Sequence, residues 1–424
     1  MYKKRRINME KAISGFSIIE KGAGFSSGLK DLKNNLNPKA ITTAFVAAVF
    51  GCTGPALIVI NASAEAGYTT EQTVSWLFGI YVFGAMISII MSLYYKMPIV
   101  GAYSIPGATM LAAALKGFSF NEASGAYIMA GIIVLILGVT GLIGKVMRFL
   151  PLPIVMGMIA GVMLRFGTGI VTSTMQLPIV CGVAIVGYFL VRKLSSKISP
   201  ILGALVFGVI AAVATGAFNN GSFDMRYIAP QFVAPSFNIA ALLSVSIPLA
   251  ALVVGAENAQ AIGVLRGQGY DVPVNAMTII SGIGGIASGF VGAHNANIAG
   301  PMTAICSSTE AGDEKSGRYA AAFANGLFFG TFGLLASYAM GFVQAIPTAL
   351  VNVLAGLAMI SVLIDSFKAA FSTGNFKMGS FFAFVVGASG ITILHIGAAF
   401  WALLIGVVVS LICEKGDFDK ESAR

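Results

Sequence analysis

The sequence predicts an all-α polytopic membrane protein of fourteen transmembrane segments arranged as a seven-plus-seven inverted repeat, on three observations. Hydrophobic residues make up 57% of the chain and charged residues 10%, whereas a soluble domain carries about 25% charged residues. Apolar runs of spanning length, ~20 residues, recur in two sets of seven on either side of a polar connection at 218–237. Lysine and arginine fall almost wholly on one side of the membrane that these runs define. Of the 26 basic residues, Lys116 and Arg226 fall outside and Arg165 falls within a span; the others fall inside. This bias fits fourteen crossings better than thirteen and puts both termini in the cytoplasm.

The elements follow in order. Residues 1–39 read as a cytoplasmic lead-in. Its start is basic, but no apolar run with a small-residue cleavage site comes before Ala40, so no cleaved signal peptide is expected. The first set of spans covers 40–62, 72–94, 97–116, 122–146, 151–173, 176–194 and 199–217. The second covers 238–265, 273–291, 292–309, 317–342, 346–368, 378–394 and 396–413, and a tail follows at 414–424. An odd number of crossings per half starts the second half from the opposite side of the membrane. Inverted repeats of this kind hold substrate at the midplane.

The third span of each half is irregular. One reads Met97-Pro-Ile-Val-Gly-Ala-Tyr103-Ser104-Ile-Pro106-Gly107, the other Gly292-Ala-His294-Asn295-Ala-Asn297-Ile-Ala-Gly300-Pro301. Residues before proline are pushed away from helix, so each stretch starts extended and turns helical at Pro106 or Pro301. Interrupted segments in matching positions of two halves point to a transporter's binding site. Two half-helix N-termini meeting there suit an anion.

The eighth span carries Glu257 with Asn258 and Gln260 at its middle. A charge at bilayer depth costs ~2.5–3.5 kcal/mol on insertion scales, so it is kept where something compensates it. A carboxylate substrate and Glu257 repel each other when both are ionised. Protonating Glu257 removes the repulsion and makes it a donor, so proton and anion enter as a neutral pair. Asn258, Gln260, Asn295 and Asn297 supply amides that bond a carboxylate without adding charge; some touch substrate and the others brace unwound backbone. Tyr103 offers a ring for stacking, whereas Phe166 reads as a core aromatic. Two roles stay open for His294: a second proton site, or a residue that shapes the turn. Three stay open for Arg165: attracting the anion, pairing with Glu257 in the empty state, or snorkelling to the outer interface. His395, between the last two spans, reads as structural.

Other classes find little support. The four cysteines lie in separate apolar segments without paired spacing, so neither a disulfide framework nor a metal site is expected. No cofactor is expected. No His-Glu-x-x-His, Gly-x-Ser-x-Gly or paired-Asp motif marks an enzyme, and no Gly-x-x-x-x-Gly-Lys-Ser/Thr loop marks an ATP-driven pump. The net charge of +9 is spread over short loops and follows membrane orientation, not nucleic-acid binding. A transporter of another small anion or of a nucleobase-like substrate, and an anion channel, remain as alternatives.

At these residues the chain resembles the benzoate/proton symporter (BenE) family of bacterial inner-membrane proteins. The likeness rests on Thr53-Gly-Pro55, Met97-Pro98-Ile99, Tyr103 to Ala108, Glu257 to Arg266, Gly269-Tyr270 with Pro273-Val-Asn275, Gly292-Ala-His294, and Pro347-Thr-Ala-Leu-Val. That family is similar in fold to the uracil transporter UraA. The resemblance implies a core domain from segments 1–4 and 8–11 (40–146 and 238–342) and a gate domain from segments 5–7 and 12–14 (147–217 and 343–413). It also implies short antiparallel strands in segments 3 and 10, a homodimer in many members, and a small carboxylate and a proton as the partners. In the nucleobase relatives a glutamate of segment 8 contacts substrate, and Glu257 occupies that place; with the residues read above, the candidate site is Tyr103, Ser104, Pro106, Gly107, Arg165, Glu257, Asn258, Gln260, His294, Asn295 and Asn297. In the nucleobase relatives a second glutamate stands at the segment 10 turn, where this chain has His294-Asn295-Ala296-Asn297. That departure argues against a nucleobase and leaves room for a ligand that is itself an acceptor.

Overall fold

The structure, a computed structural model, describes residues 19–52, 54–142, 151–194, 200–218, 226–338, 340, 346–391, 393 and 398–422. His395 and the side chain of Phe166 lie outside the described residues. The first half contains α1 (Phe25–Asn35), α2 (Pro38–Cys52), α3 (Gly54–Glu65), α4 (Thr70–Tyr95), β1 (Gly101–Tyr103), α5 (Ile105–Ala114), α6 (Phe120–Val139), α7 (Leu152–Gln176), α8 (Pro178–Leu194) and α9 (Pro200–Ala214). The second contains α10 (Ile239–Gly267), α11 (Val274–Gly289), β2 (Ala296–Ile298), α12 (Gly300–Ser307), α13 (Tyr319–Leu334), α14 (Thr348–Phe371), α15 (Lys377–Ser389), α16 (Ala398–Cys413) and α17 (Lys415–Ser422). Among the described residues, four helices, α4, α6, α7 and α10, are long and apolar enough to cross a membrane by length and composition.

Helix starts follow from local chemistry. Thr69 caps α4 in a reciprocal box with Gln72, and Ser119 caps α6 with Glu122, each satisfying backbone N–H groups that a helix start leaves bare. The helices pack in two groups. In one, α4 lies on α13, α6 on α11 and α2 on α13; in the other, α7 lies between α14 and α15, with α8 on α9 and α15 on α16. The groups touch through α3 and α14, α7 and α10, and α10 and α16.

The span expected over 40–62 is helical at Pro38–Cys52 and Gly54–Glu65, on either side of residue 53. Pro55 has no N–H for the carbonyl four residues back, so the Gly51 oxygen is freed. Two hydroxyls take it: Tyr81 donates at 2.7 Å and Tyr103 at 3.1 Å. These bonds tie α2 to α4 and β1.

The described part of the lead-in, from residue 19, is bonded to the helices beside it. Gly24 N donates to Tyr94 O at 2.9 Å, Tyr319 donates its hydroxyl to Gly28 O at 2.7 Å, and Lys96 pairs with Asp31. The Lys96 ammonium holds the Asp31 carboxyl below its ordinary value. Glu20 accepts the N–H groups of Asn275 and Ala276 at 2.9 and 3.0 Å, capping α11 from outside. The tail acts likewise on α15, where Glu414 accepts from Met378 and Gly379 at 2.8 and 3.1 Å. Both ends of the described chain supply carboxylates to helix N-termini, where negative charge is favoured.

Candidate functional site

The two strands pair antiparallel, Gly101 with Ile298, Ala102 with Asn297 and Tyr103 with Ala296. A lone two-stranded ribbon leaves its outer backbone groups bare. Here serines from the flanking helices meet them. Ser88 of α4 accepts from Gly101 N at 2.8 Å and donates to Gly101 O at 3.0 Å. On the other edge, Ser281 and Ser288 of α11 accept from Ile298 N and Ala296 N at 3.1 and 3.2 Å. The sequence reading missed these serines. Their signal was small hydroxyls inside apolar spans, which is weak by itself.

Each strand turns directly into a helix, and the antiparallel pairing makes α5 and α12 run apart from adjacent N-termini. Pro106 and Pro301 lie within the first two positions of these helices, where the missing N–H costs nothing. Ser104 caps α5, its hydroxyl accepting Gly107 N at 3.0 Å. Ala299 at the cap of α12 has no side chain that can do so.

Glu257 supplies what is missing at both ends. Its Oε1 accepts Ile105 N at 3.1 Å and its Oε2 accepts Gly300 N at 3.0 Å. One carboxylate thus bridges the first turns of α5 and α12, in a position 2% exposed. Glu257 sits in a π-helical stretch of α10, Val253–Asn258. A π-turn inserts a residue into the α-helical register and is frequent at functional sites. Two helix N-termini and two charge-assisted hydrogen bonds converge on one buried acid.

Of the other candidate residues, Ser104, Pro106 and Gly107 lie in this first turn of α5, and Gln260 lies against Gly300. A Cβ at Gly300 would be 2.5 Å from Gln260 Oε1, and one at Gly107 would be 2.7 Å from Leu249 Cδ1. Two of the three asparagines each have one side-chain atom hydrogen-bonded. Asn258 Oδ1 accepts from Ser281 Oγ at 3.1 Å, and Asn297 Nδ2 donates to Ile298 O at 2.7 Å. Asn295 packs onto α11, where a Cβ at Gly285 would meet its Nδ2 at 2.4 Å. Asn258 Nδ2, Asn297 Oδ1 and both side-chain polar atoms of Asn295 are buried without a hydrogen-bond partner among the described residues. The Tyr103 hydroxyl is committed to Gly51 O, and its ring stacks on Phe329 at 6.3 Å with its neighbours Tyr81 and His294 edge-on. His294 accepts the Trp76 indole N–H at Nδ1 (2.8 Å), and its Nε2 lies 3.1 Å from Ser104 O. Arg165 stands on an exposed part of α7 and feels the carboxylate of Glu65, at the end of α3.

The far end of α12 carries the opposite charge. Arg318, 8% exposed, donates Nη1 to Ser307 O and Nε to Gly312 O, both at 2.8 Å. A cation on the last carbonyls complements the dipole, so α12 has an acid at its start and a base at its end. Arg318→Met keeps the bulk and removes these bonds. Since hydrogen bonds to charged groups are worth about 1.5–3 kcal/mol each, the expected result is a lower apparent melting temperature in detergent. An unchanged transition would show that the guanidinium does not hold the turn.

A family model described as benzoate membrane transport protein (BenE) matches residues 34–412. The chain is 29% identical over 388 residues to the inner membrane protein YdcO of Escherichia coli (strain K12), covering 91% of this chain and 99% of that protein. It is also 29% identical over 387 residues to the benzoate membrane transport protein of Acinetobacter baylyi (strain ATCC 33305 / BD413 / ADP1), covering 91% and 98%. Among solved structures, the transmembrane domain of a cyanobacterium bicarbonate transporter, BicA, is similar with a TM-score of 0.54 at 15% identity, over 89% of this chain and 97% of that one. The murine anion transporter Slc26a9 is similar with a TM-score of 0.55 at 14% identity, over 88% and 68%. At those identities the structures speak for the fold alone. With the family model covering nearly the whole apolar region, the chain belongs to the BenE family and is a multi-pass membrane transporter.

Proposed function

We propose that this transporter is a proton-coupled symporter of benzoate or a similar aromatic carboxylate, working by alternating access in a bacterial inner membrane. The observation that carries this reading is the Glu257 carboxylate resting on Ile105 N and Gly300 N. Two backbone donors at two positive helix ends are a receptor for one carboxylate, and in the empty protein Glu257 is that carboxylate. Two unit charges 4 Å apart repel by ~4 kcal/mol at an effective dielectric of 20. The two helix ends together return at most about that amount, at up to ~2 kcal/mol each. Substrate and ionised Glu257 therefore exclude each other. A proton on Glu257 releases the N–H pair, the substrate carboxylate takes it, and the site keeps one negative charge throughout.

The wider architecture extends this reading. Fourteen segments in a seven-plus-seven inverted repeat, interrupted at the third and tenth, place β1–α5 and β2–α12 as matching halves of one site; the opposite directions of α5 and α12 support this. The core domain is 40–146 with 238–342, and the gate domain is 147–217 with 343–413. The separate packing of the α4–α13 and α7–α14 groups supports a division along which one body rocks against the other. The named substrate of the Acinetobacter baylyi relative supports benzoate, and the name of the Escherichia coli relative supports the inner membrane.

A second reading, transport of a small inorganic anion, is favoured by the N–H pair itself, which reads charge and not a ring. Counterflow of labelled benzoate in proteoliposomes, with and without an imposed pH gradient, and with bicarbonate and uracil as competitors, separates them. Benzoate counterflow accelerated by an inward proton gradient is expected. No benzoate counterflow, or competition by bicarbonate alone, would overturn the substrate; indifference to the gradient would overturn the coupling.

A further inference from the structure

His294 is held by two elements at once. Trp76 on α4 donates its indole N–H to Nδ1 at 2.8 Å, and Nε2 stands 3.1 Å from the carbonyl oxygen of Ser104, the cap of α5. An indole nitrogen only donates and a carbonyl oxygen only accepts. One form of the ring satisfies both: neutral, with its proton on Nε2. A proton added at Nδ1 would set two donors face to face and break the Trp76 bond. The ring is fully buried, with the rings of Trp76, Tyr103 and Tyr127 around it. The titratable groups facing this corner are those two tyrosines and, across the same turn of α5, Glu257.

The partner of Nε2 matters more than its strength. Ser104 O also accepts Ala108 N at 2.9 Å, the first bond of α5, and Ser104 Oγ accepts Gly107 N at 3.0 Å. The next N–H along the chain, that of Ile105, points at Glu257. We infer that His294 is a positioning residue, a permanently neutral donor that fixes Ser104 and so aims the Ile105 N–H at the substrate carboxylate, and that it does not carry the transported proton. The inference rests on the reading of that N–H as part of the substrate site.

Two measurements test it. In protein labelled with ¹⁵N-histidine and carrying His395→Gln, so that one of the two histidines remains, the ring should give the signals of a single Nε2–H tautomer, unmoved between about pH 5 and 8. Signals that average or titrate would overturn the inference without touching the proposed transport. In proteoliposomes with benzoate as probe, His294→Gln presents an amide N–H near the place of Nε2 and should keep KM within about twofold. His294→Leu fills the space without a donor and should raise KM on the order of tenfold, the worth of one buried hydrogen bond. Its maximal rate and pH profile should hold. Equal losses in both variants, an unchanged KM in His294→Leu, or a shifted pH profile would each overturn it. A wild-type protein that does not take up benzoate would count against the transport reading, and the ring signals alone would then decide this one.

Discussion

Glu257→Gln uncouples benzoate movement from the proton gradient while leaving counterflow in place. Under the proposed coupling each bound anion brings a proton onto Glu257, so apparent affinity should rise as pH falls, by about tenfold per unit while Glu257 is ionised in the absence of substrate. The rise stops where the substrate's own carboxyl takes up a proton. Glutamine is neutral at every pH, so the slope should vanish. The N–H pair is also only half satisfied by glutamine: the amide oxygen accepts from Ile105 N or Gly300 N, and the amide nitrogen, a donor, faces the other. That leaves the site readier for an anion than the wild type at neutral pH. Isothermal titration of benzoate at three pH values, beside uptake driven by a pH gradient, reads both effects. A glutamine variant that still accumulates benzoate against its gradient with the wild-type slope would remove Glu257 from the coupling.

What could be read before the structure divides along a physical line. Glu257, Pro106 and Pro301 stand out in any sequence because a charge in an apolar run and a missing N–H each have a cost that does not depend on neighbours. Pro55 belongs with them: the freed Gly51 carbonyl follows from the proline, but the two tyrosines that take it come from elsewhere in the chain. The π-turns of α10 and the serines at the ribbon edges were not legible, since they depend on how closely two helices approach a strand. The same holds for the amides. The amides are expected to divide between substrate and bracing; Asn258 bonds Ser281 and Asn297 bonds the Ile298 carbonyl, partners that only the folded chain brings near. Arg165 keeps its three open roles, because a long side chain on an exposed part of α7 reaches in more than one direction. His294 had two open roles because its partner Trp76 lies 218 residues away.

Gly84→Ala and Gly284→Ala lower stability, against the ordinary sign of the substitution. In a helix interior, alanine is favoured over glycine by ~1 kcal/mol. Gly182 on α8 has nothing within 4 Å of an added Cβ, and Gly182→Ala should show that gain. At Gly84 on α4 the Cβ would stand 2.7 Å from Ala102 Cα and 2.9 Å from Ala102 O; at Gly284 on α11 it would stand 2.4 Å from Ala296 O. These obstacles include the backbone of β1 and β2, which no rotamer change can move aside. The ribbon is gripped from both sides, so it can yield only by shifting as a unit, and overpacking of this kind costs typically 1–3 kcal/mol. The clash therefore outweighs the propensity gain. A shift of the ribbon also carries Ser104 and Ala299 with it, moving Ile105 N and Gly300 N relative to Glu257. Thermal unfolding in detergent should accordingly rank Gly182→Ala above wild type and both ribbon variants below it, with benzoate affinity reduced only in the latter pair. Should all three alanines stabilise alike, the ribbon would not be clamped between α4 and α11, and the aim of the two helix ends would have to come from somewhere else.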